Sequence, residues 1–266
     1  MNQPTAKFSL WTGSLYVLSG LVLLFILAPL VGLIIDTSPS ELREVSKHSD
    51  VRASILVSVL AAMAATLLLS IAAVPLGYVL ARKTFPFKPV VNAIIDLPIV
   101  IPHAAAGLAL LAWLSKDGWL GALAEGIGFS FVGTFWGITV AMAFVSVPFL
   151  IHAAREGFSA VPERFERTAL TLGAHPHQVF FTVSVPLART FIISGLIMMW
   201  ARGMSEFGAI IFIAYRPMVT PVLIWEWFGT YGISYARPVA VLFMSISLIV
   251  FALMRWIASR NSYADR

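Results

Sequence analysis

Apolar residues in this chain come in long runs, not with the 3.6- or 2-residue period of an element that has one wet face. Six runs stand out, at roughly 13–35, 53–81, 90–114, 134–154, 190–215 and 237–258. Each supplies the ~20 mostly apolar residues that a helix rising ~1.5 Å per residue needs to cross hydrocarbon about 30 Å thick. The pattern therefore predicts six membrane-spanning helices in one membrane domain covering 1–266, with no internal repeat and no separable soluble domain. The first run is too long for a cleaved leader, and no small-x-small site follows Ile35. Pro75, Pro98, Pro102 and Pro148 fall inside runs, so several spans are expected to be kinked or broken, with neighbours satisfying the freed backbone groups. Trp11, Trp113, Trp119, Trp136, Trp225, Trp227 and Trp256 sit near run ends, where amphipathic rings prefer the lipid–water boundary. Trp200 lies deeper.

Composition agrees with the pattern. Hydrophobic residues make up 59% of the chain and charged residues 12%, about half the charge of a soluble domain. Too little polar surface remains to cover a water-soluble globule. There is no cysteine, which excludes disulfides, thiolate metal sites and cysteine nucleophiles. The net charge of +5 would suggest nucleic acid in a soluble protein, but here the basic residues lie between apolar runs and report topology. With six spans, Lys7, Arg82, Lys83, Lys88, Arg155, Arg164, Arg167, Arg189, Arg255, Arg260 and Arg266 share one side. They outnumber Arg43, Lys47, Arg52, Lys116, Arg216 and Arg237 on the other. The excess marks the cytoplasmic side, so both termini are expected in the cytoplasm of a cell whose (inner) membrane holds the chain.

Enzymatic signatures are missing. The sequence has no G-x-x-x-x-G-K-[ST] loop, no H-E-x-x-H and no G-x-S-x-G. Gly121, Gly126, Gly128 and Gly133 read as a flexible outer loop without the strand-turn-helix setting of a dinucleotide site. No catalytic residue, metal or cofactor is expected, and any nucleotide hydrolysis must come from another polypeptide. His175 and His177 offer two ligands where zinc wants three or four, so solvation or a protein contact fits them better.

The polar stretch 155–189 is the most informative. Pro162 can open a helix, Glu163 and Glu166 suit its first turns against the helix dipole, and Gly173 suits the left-handed residue that ends it. Pro176 can begin a second helix carrying Phe180 and Phe181. The expected shape is a helix-turn-helix bracket too polar to re-enter lipid. Here the chain resembles the membrane subunits of ABC importers, whose EAA loop runs Glu-Ala-Ala, three residues, Gly, nine residues, Ile-x-Leu-Pro. Gly173, Pro186 and Ala169 fit the pattern, and Val183 and Val185 stand for Ile and Leu. Arg167 occupies the usual glutamate position with Glu166 just before it, and Thr168 replaces the first alanine. The resemblance implies that this bracket is a coupling helix docked on an ATPase, with Glu163, Glu166, Arg167, Ala169, Gly173 and Pro186 as its coupling residues.

Two further segments, Asp96-Leu-Pro-Ile-Val-Ile-Pro-His-Ala-Ala-Ala-Gly107 and Ala201-Arg-Gly-Met-Ser-Glu-Phe-Gly-Ala209, look like signatures of the sulfate/molybdate/tungstate permeases. Ser205-Glu-Phe-Gly followed by Ile213-Ala-Tyr-Arg-Pro-Met218 is most similar to the molybdate/tungstate branch. The likeness covers about residues 53–255. It implies an all-α protein with six transmembrane helices and a cytoplasmic EAA-type coupling helix between spans four and five, the type I ABC importer permease architecture. It also implies a homodimer carrying two ABC ATPases and fed by an extracytoplasmic oxyanion-binding protein. The rivals are a sulfate/thiosulfate permease and an ion-coupled carrier acting alone with Glu206 as proton carrier.

Arg202 and Glu206 read as one helical turn apart within span five. An unpaired charge there costs at least ~2.5–3.5 kcal/mol, so both should face the bundle or a cavity. They either gate the oxyanion route together with Ser205, or form an ion pair that fixes packing, Gly203 and Gly208 permitting close approach. Because Arg before Glu is the weaker order, further partners, across the dimer, are expected. Asp96, Pro98 and Pro102 form a second candidate for the pathway. On the alternative reading, Asp96 caps the restarting helix and His103 is a satisfied interior histidine. The loop 216–237, with Trp225, Glu226, Trp227, Arg216 and Arg237, either receives the binding protein or is an interfacial aromatic belt with a short amphipathic helix.

Overall fold

A computed structural model of the chain describes residues 10–263. Lys7 and Arg266, counted in the charge balance, lie outside the described residues, as does the Arg260 side chain. Every regular element among the described residues is helical: α1 Leu10–Ile35, α2 Pro39–Lys47, α3 Ser49–Arg82, α4 Lys88–Val100, α5 His103–Leu114, α6 Trp119–Glu125 and α7 Phe135–Ala160. There follow α8 Glu163–Thr171, α9 Pro176–Val179, a π-helical turn Phe180–Ser184, α10 Val185–Met204, α11 Ile210–Ile213, α12 Thr220–Tyr231 and α13 Ile233–Tyr263. Five of them are long and apolar enough to cross a membrane, or six if the bent pair α4–α5 is one span. The chain is a multi-pass membrane protein.

The centre is a three-helix contact of α3, α7 and α10. Lipid tails are as apolar as these side chains, so close backbone approach, not water exclusion, must hold the helices together. Small residues supply it. A Cβ built on Gly77 of α3 would stand 2.7 Å from Ala154 Cβ of α7, and one on Gly195 of α10 would stand 2.7 Å from Ala153 Cβ. About two thirds of the most apolar stretch of α7 is buried, 67%, against 0% for α1. α1 touches little but α13.

Several boundaries differ from the sequence reading. The third run is no single helix: α4 and α5 meet at 108°, because Pro102 lacks the N–H that would continue α4. The fifth helical run, Pro176–Met204, begins earlier and ends earlier than 190–215. The bracket's second arm is thus continuous with the span and does not stand free. Within it Pro186, in the first turn of α10, lacks the N–H that would bond the carbonyl four residues back, and its ring crowds that carbonyl. The chain widens into the π turn instead, with Val185 N–H bonded to Phe180 O. α7 continues through Arg155 to Ala160, so the projecting part shrinks to about 161–175.

On the face opposite α8, the supposed glycine loop contains α6. Gly121 lies within it, where a Cβ would fall 1.8 Å from Ser115 O. The loop 216–237 contains α12, which ends at Gly232 (φ +81), and the last span starts at Ile233. Ser38 and Glu41 form a capping box on α2, and Arg237 Nη2 donates to Glu41 Oε1 at 3.2 Å, tying α2 to α13.

Candidate functional site

The bracket is built as its residue types dictate. Pro162 precedes α8 in extended conformation, Glu163 opens it, and Gly173 (φ +90) takes the left-handed turn that ends it. Gly173 N–H bonds to Leu170 O at 3.0 Å and Ala174 N–H to Ala169 O at 3.1 Å, which is the Schellman pattern. Glu163 and Arg167 pair at 2.6 Å on the exposed surface. Such a pair adds little stability. Phe165, Leu170 and Leu172 are exposed apolar residues on the same element, Leu172 at 83%. His175 and His177 stack their rings 5.8 Å apart.

Glu166, in the first turns of α8 as expected, is turned inward. It is the one buried residue of α8 and points into the body. Arg82, the last residue of α3, donates from Nε to Oε1 and Oε2 at 3.1 Å each and from Nη2 to Oε1 at 2.9 Å. Ser184 Oγ donates to Oε1 at 2.8 Å and Tyr78 Oη to Oε2 at 3.2 Å. Arg82 Nη2 also reaches Val161 O at 3.0 Å. Burial pushes the Glu166 carboxyl up, but the hydrogen bonds from Arg82 and Ser184, with the guanidinium charge, outweigh it and hold the group below the usual carboxylate range. Tyr78, Phe158 and Phe180 pack edge-on or tilted around this cluster. Arg82 read only as a membrane-edge charge, and nothing in the sequence linked Tyr78 or Ser184 to Glu166.

The second cluster lies at the other end of α10. The helix stops at Met204, so Arg202 sits in its last turn and Glu206 follows in a non-helical segment; they are not two members of one continuous helix. The segment 205–209 packs on the start of α5. A Cβ on Gly208 would meet His103 Cβ at 2.8 Å, and one on Gly107 would meet Ala209 O at 2.7 Å. Two interrupted spans therefore meet backbone to backbone. Glu206 is fully buried, 0% exposed. Its Oε2 accepts from Arg202 Nη1 at 3.0 Å and lies 2.7 Å from His103 Nδ1, while its Oε1 accepts from Ala209 N–H at 2.9 Å. Arg202 Nη2 lies 2.8 Å from His103 Nε2. The extra partner that Arg202 and Glu206 needed is thus His103, in the same chain. Arg202 and His103 remain partly open, at 24% and 34%, whereas Ser205, exposed, donates back to Arg202 O at 3.0 Å.

Asp96 does not cap the restarting helix; Pro102 holds that position. Asp96 lies inside α4 beside buried Pro98, and its Oδ1 is 2.6 Å from His152 Nε2 on α7. One turn back, Arg155 Nη1 donates to Asn92 Oδ1 at 3.1 Å. The sequence reading singled out neither His152 nor Asn92. These bonds pin α4 to α7 and leave Pro102, exposed, at the break.

Residues 73–263 match the family described as "Binding-protein-dependent transport system inner membrane component". The chain is 46% identical over 205 residues (77% of this chain, 78% of the relative) to the molybdate/tungstate transport system permease protein WtpB of Thermococcus kodakarensis. It is 38% identical over 235 residues (88% and 92%) to the protein of that name from Methanocaldococcus jannaschii. It is 30% identical over 261 residues (97% and 94%) to the sulfate transport system permease protein CysT of Salmonella typhimurium. Among solved structures, a bacterial ABC transporter involved in import of the acidic polysaccharide alginate has a chain that superposes with a TM-score of 0.69 at 16% identity, covering 94% of this chain and 96% of that one. The MetNI methionine ABC transporter, in inward-facing form, gives 0.60 at 15%, covering 79% and 94%. The fold is the helical architecture of type I ABC importer permeases.

Proposed function

The chain belongs to the family of binding-protein-dependent transport system inner membrane components, and on that footing we propose that it is the permease subunit of an ATP-driven importer of a tetrahedral oxyanion, molybdate or tungstate. The observation that carries the reading is the pairing of two features on one helical run. At one end is the projecting, exposed α8; at the other, Arg202 closes a junction of two broken spans. The names of the relatives at 38–46% identity support molybdate or tungstate as cargo.

In this reading α8 faces the cytoplasm and docks through Phe165, Leu170 and Leu172 on an ABC ATPase, two of which serve a homodimer of this chain. Arg202 offers the positive charge that a dianion needs in a low-dielectric route, where an opposite charge is worth far more than in water. Glu206 and His103 hold that charge in place when no anion is present. Asp96, through His152, fixes the half-helix α4, and the exposed Pro102 marks where backbone leaves the helical ladder and lines the route. An extracytoplasmic binding protein delivers the anion to the face bearing α2 and α12. No step requires bond chemistry in this chain: closure of the ATPases displaces α8, and the pathway changes its open side.

The near full-length relationship to a sulfate permease supports sulfate as second candidate. Reconstitution of the permease with its ATPase and binding protein, followed by uptake of molybdate, tungstate and sulfate, decides between them. The expected result is ATP-dependent uptake of molybdate or tungstate with little effect of excess sulfate. Uptake without ATP would overturn the importer reading in favour of a lone carrier, and sulfate as preferred cargo would overturn the choice of anion.

A further inference from the structure

We propose that Glu166 is a positioning residue that fastens α8 rigidly to α3 and α10, and is not a contact for the motor subunit. This rests on the importer reading above. α8 has nine residues and Glu166 is its single buried one; nearly all the others are exposed, so apolar packing cannot carry a load between α8 and the membrane helices. The carboxylate can. Both its oxygens are taken by donors from two elements: Arg82 and Tyr78 of α3, and Ser184 of the π turn. Arg82 grips the carboxylate with two nitrogens, a geometry that fixes orientation as well as distance, and its side chain and that of Glu166 are 8% and 9% exposed. The same guanidinium holds Val161 O, so the end of α7 joins the clamp.

Direction follows from the chain. Ser184 passes without interruption into α10, and at ~1.5 Å per residue Arg202 lies about 27 Å further along. A displacement of α8 thus reaches the Arg202–Glu206–His103 junction through one stiff helix. The π turn at its base is the weak point of that helix, and Ser184, at the end of that turn, is where Glu166 grips it. Without the grip, α8 moves on its short connections and the turn absorbs the motion.

In the assembled transporter, Glu166→Gln and Arg82→Gln should each lower the oxyanion taken up per ATP hydrolysed by roughly tenfold. The double variant should be no worse than either single one, because both remove the same link. A second measurement needs no variant at the clamp. The chain has no cysteine, so spin labels on Thr168→Cys and Lys83→Cys report the spacing between α8 and the end of α3 without background. That spacing should stay within about 2 Å between nucleotide-free and ATP-bound states, and a larger change would overturn the proposal. So would an unchanged uptake-to-hydrolysis ratio, or uptake and hydrolysis falling together as ATPase is lost from the complex, which is the mark of a docking role. If no ATPase assembles with the wild-type chain, the importer reading itself fails and the clamp falls with it; the other outcomes leave that reading intact.

Discussion

A carboxylate taken out of water needs donors, and the buried pair Glu166 and Glu206 find them differently. Glu206 depends on Arg202 and His103, both partly open, so its site is closed by groups that an arriving anion could draw away. Glu206→Gln removes the charge that faces Arg202 while His103 stays beside the guanidinium, and with Arg202 at 24% exposure the loss is about 1–3 kcal/mol. A clear fall in the melting temperature of the detergent-solubilised protein should show it, and His103→Ala should lower it less, since the ion pair survives. Glu166 carries a pH signature. Its folded pKa lies below the ordinary 4.5, so its contribution is complete above 4.5 and is lost as pH falls through the lower folded value. A spin label at Thr168 should keep the same mobility from neutral pH down to that range and loosen only below it. Gly173 at φ +90 makes a third case. The left-handed region costs an L residue about 1–2 kcal/mol, and valine is worse, so Gly173→Val should disorder the end of α8 and lower ATP-driven uptake. Gly173 was legible because a glycine behind a capped polar helix has one common use. Arg82 and His152 were not, because an arginine at a span edge and a histidine inside a span carry no sign of the residue they will meet.

At the scale of elements, length and proline placement carried most of the information. The run 53–81 became α3 with few changes, since apolar runs of that length have one stable form in lipid. Pro98 and Pro102 predicted interruption, but the 108° turn between α4 and α5 could not be read, because its angle is set by how 205–209 packs against His103. The same packing ends α10 at Met204, and periodicity alone ran on to 215. The short helix offered for 216–237 is α12, Thr220–Tyr231, whose Trp225 and Trp227 suit an interfacial belt on a helix. The central packing is testable through Gly77. Its Cβ would stand 2.7 Å from Ala154 Cβ and 3.0 Å from the Arg155 backbone nitrogen, and overpacking of this kind costs about 1–3 kcal/mol. Gly77→Leu should lower the melting temperature, while leucine at exposed Ala72 on the same helix should not.

α1 presents an apolar surface with nothing buried, which lipid or a second copy must cover, and α8 presents Phe165, Leu170 and Leu172 to water. The first is ordinary in a membrane. The second is the surface that the proposed docking of an ATPase subunit would cover. The decisive measurement places a photoreactive side chain at Leu172 in the complete transporter, illuminates it and identifies what it captures. A motor-driven permease predicts capture of the ATPase subunit in high yield. Capture of lipid, or of nothing while the ATPase is bound, would contradict it.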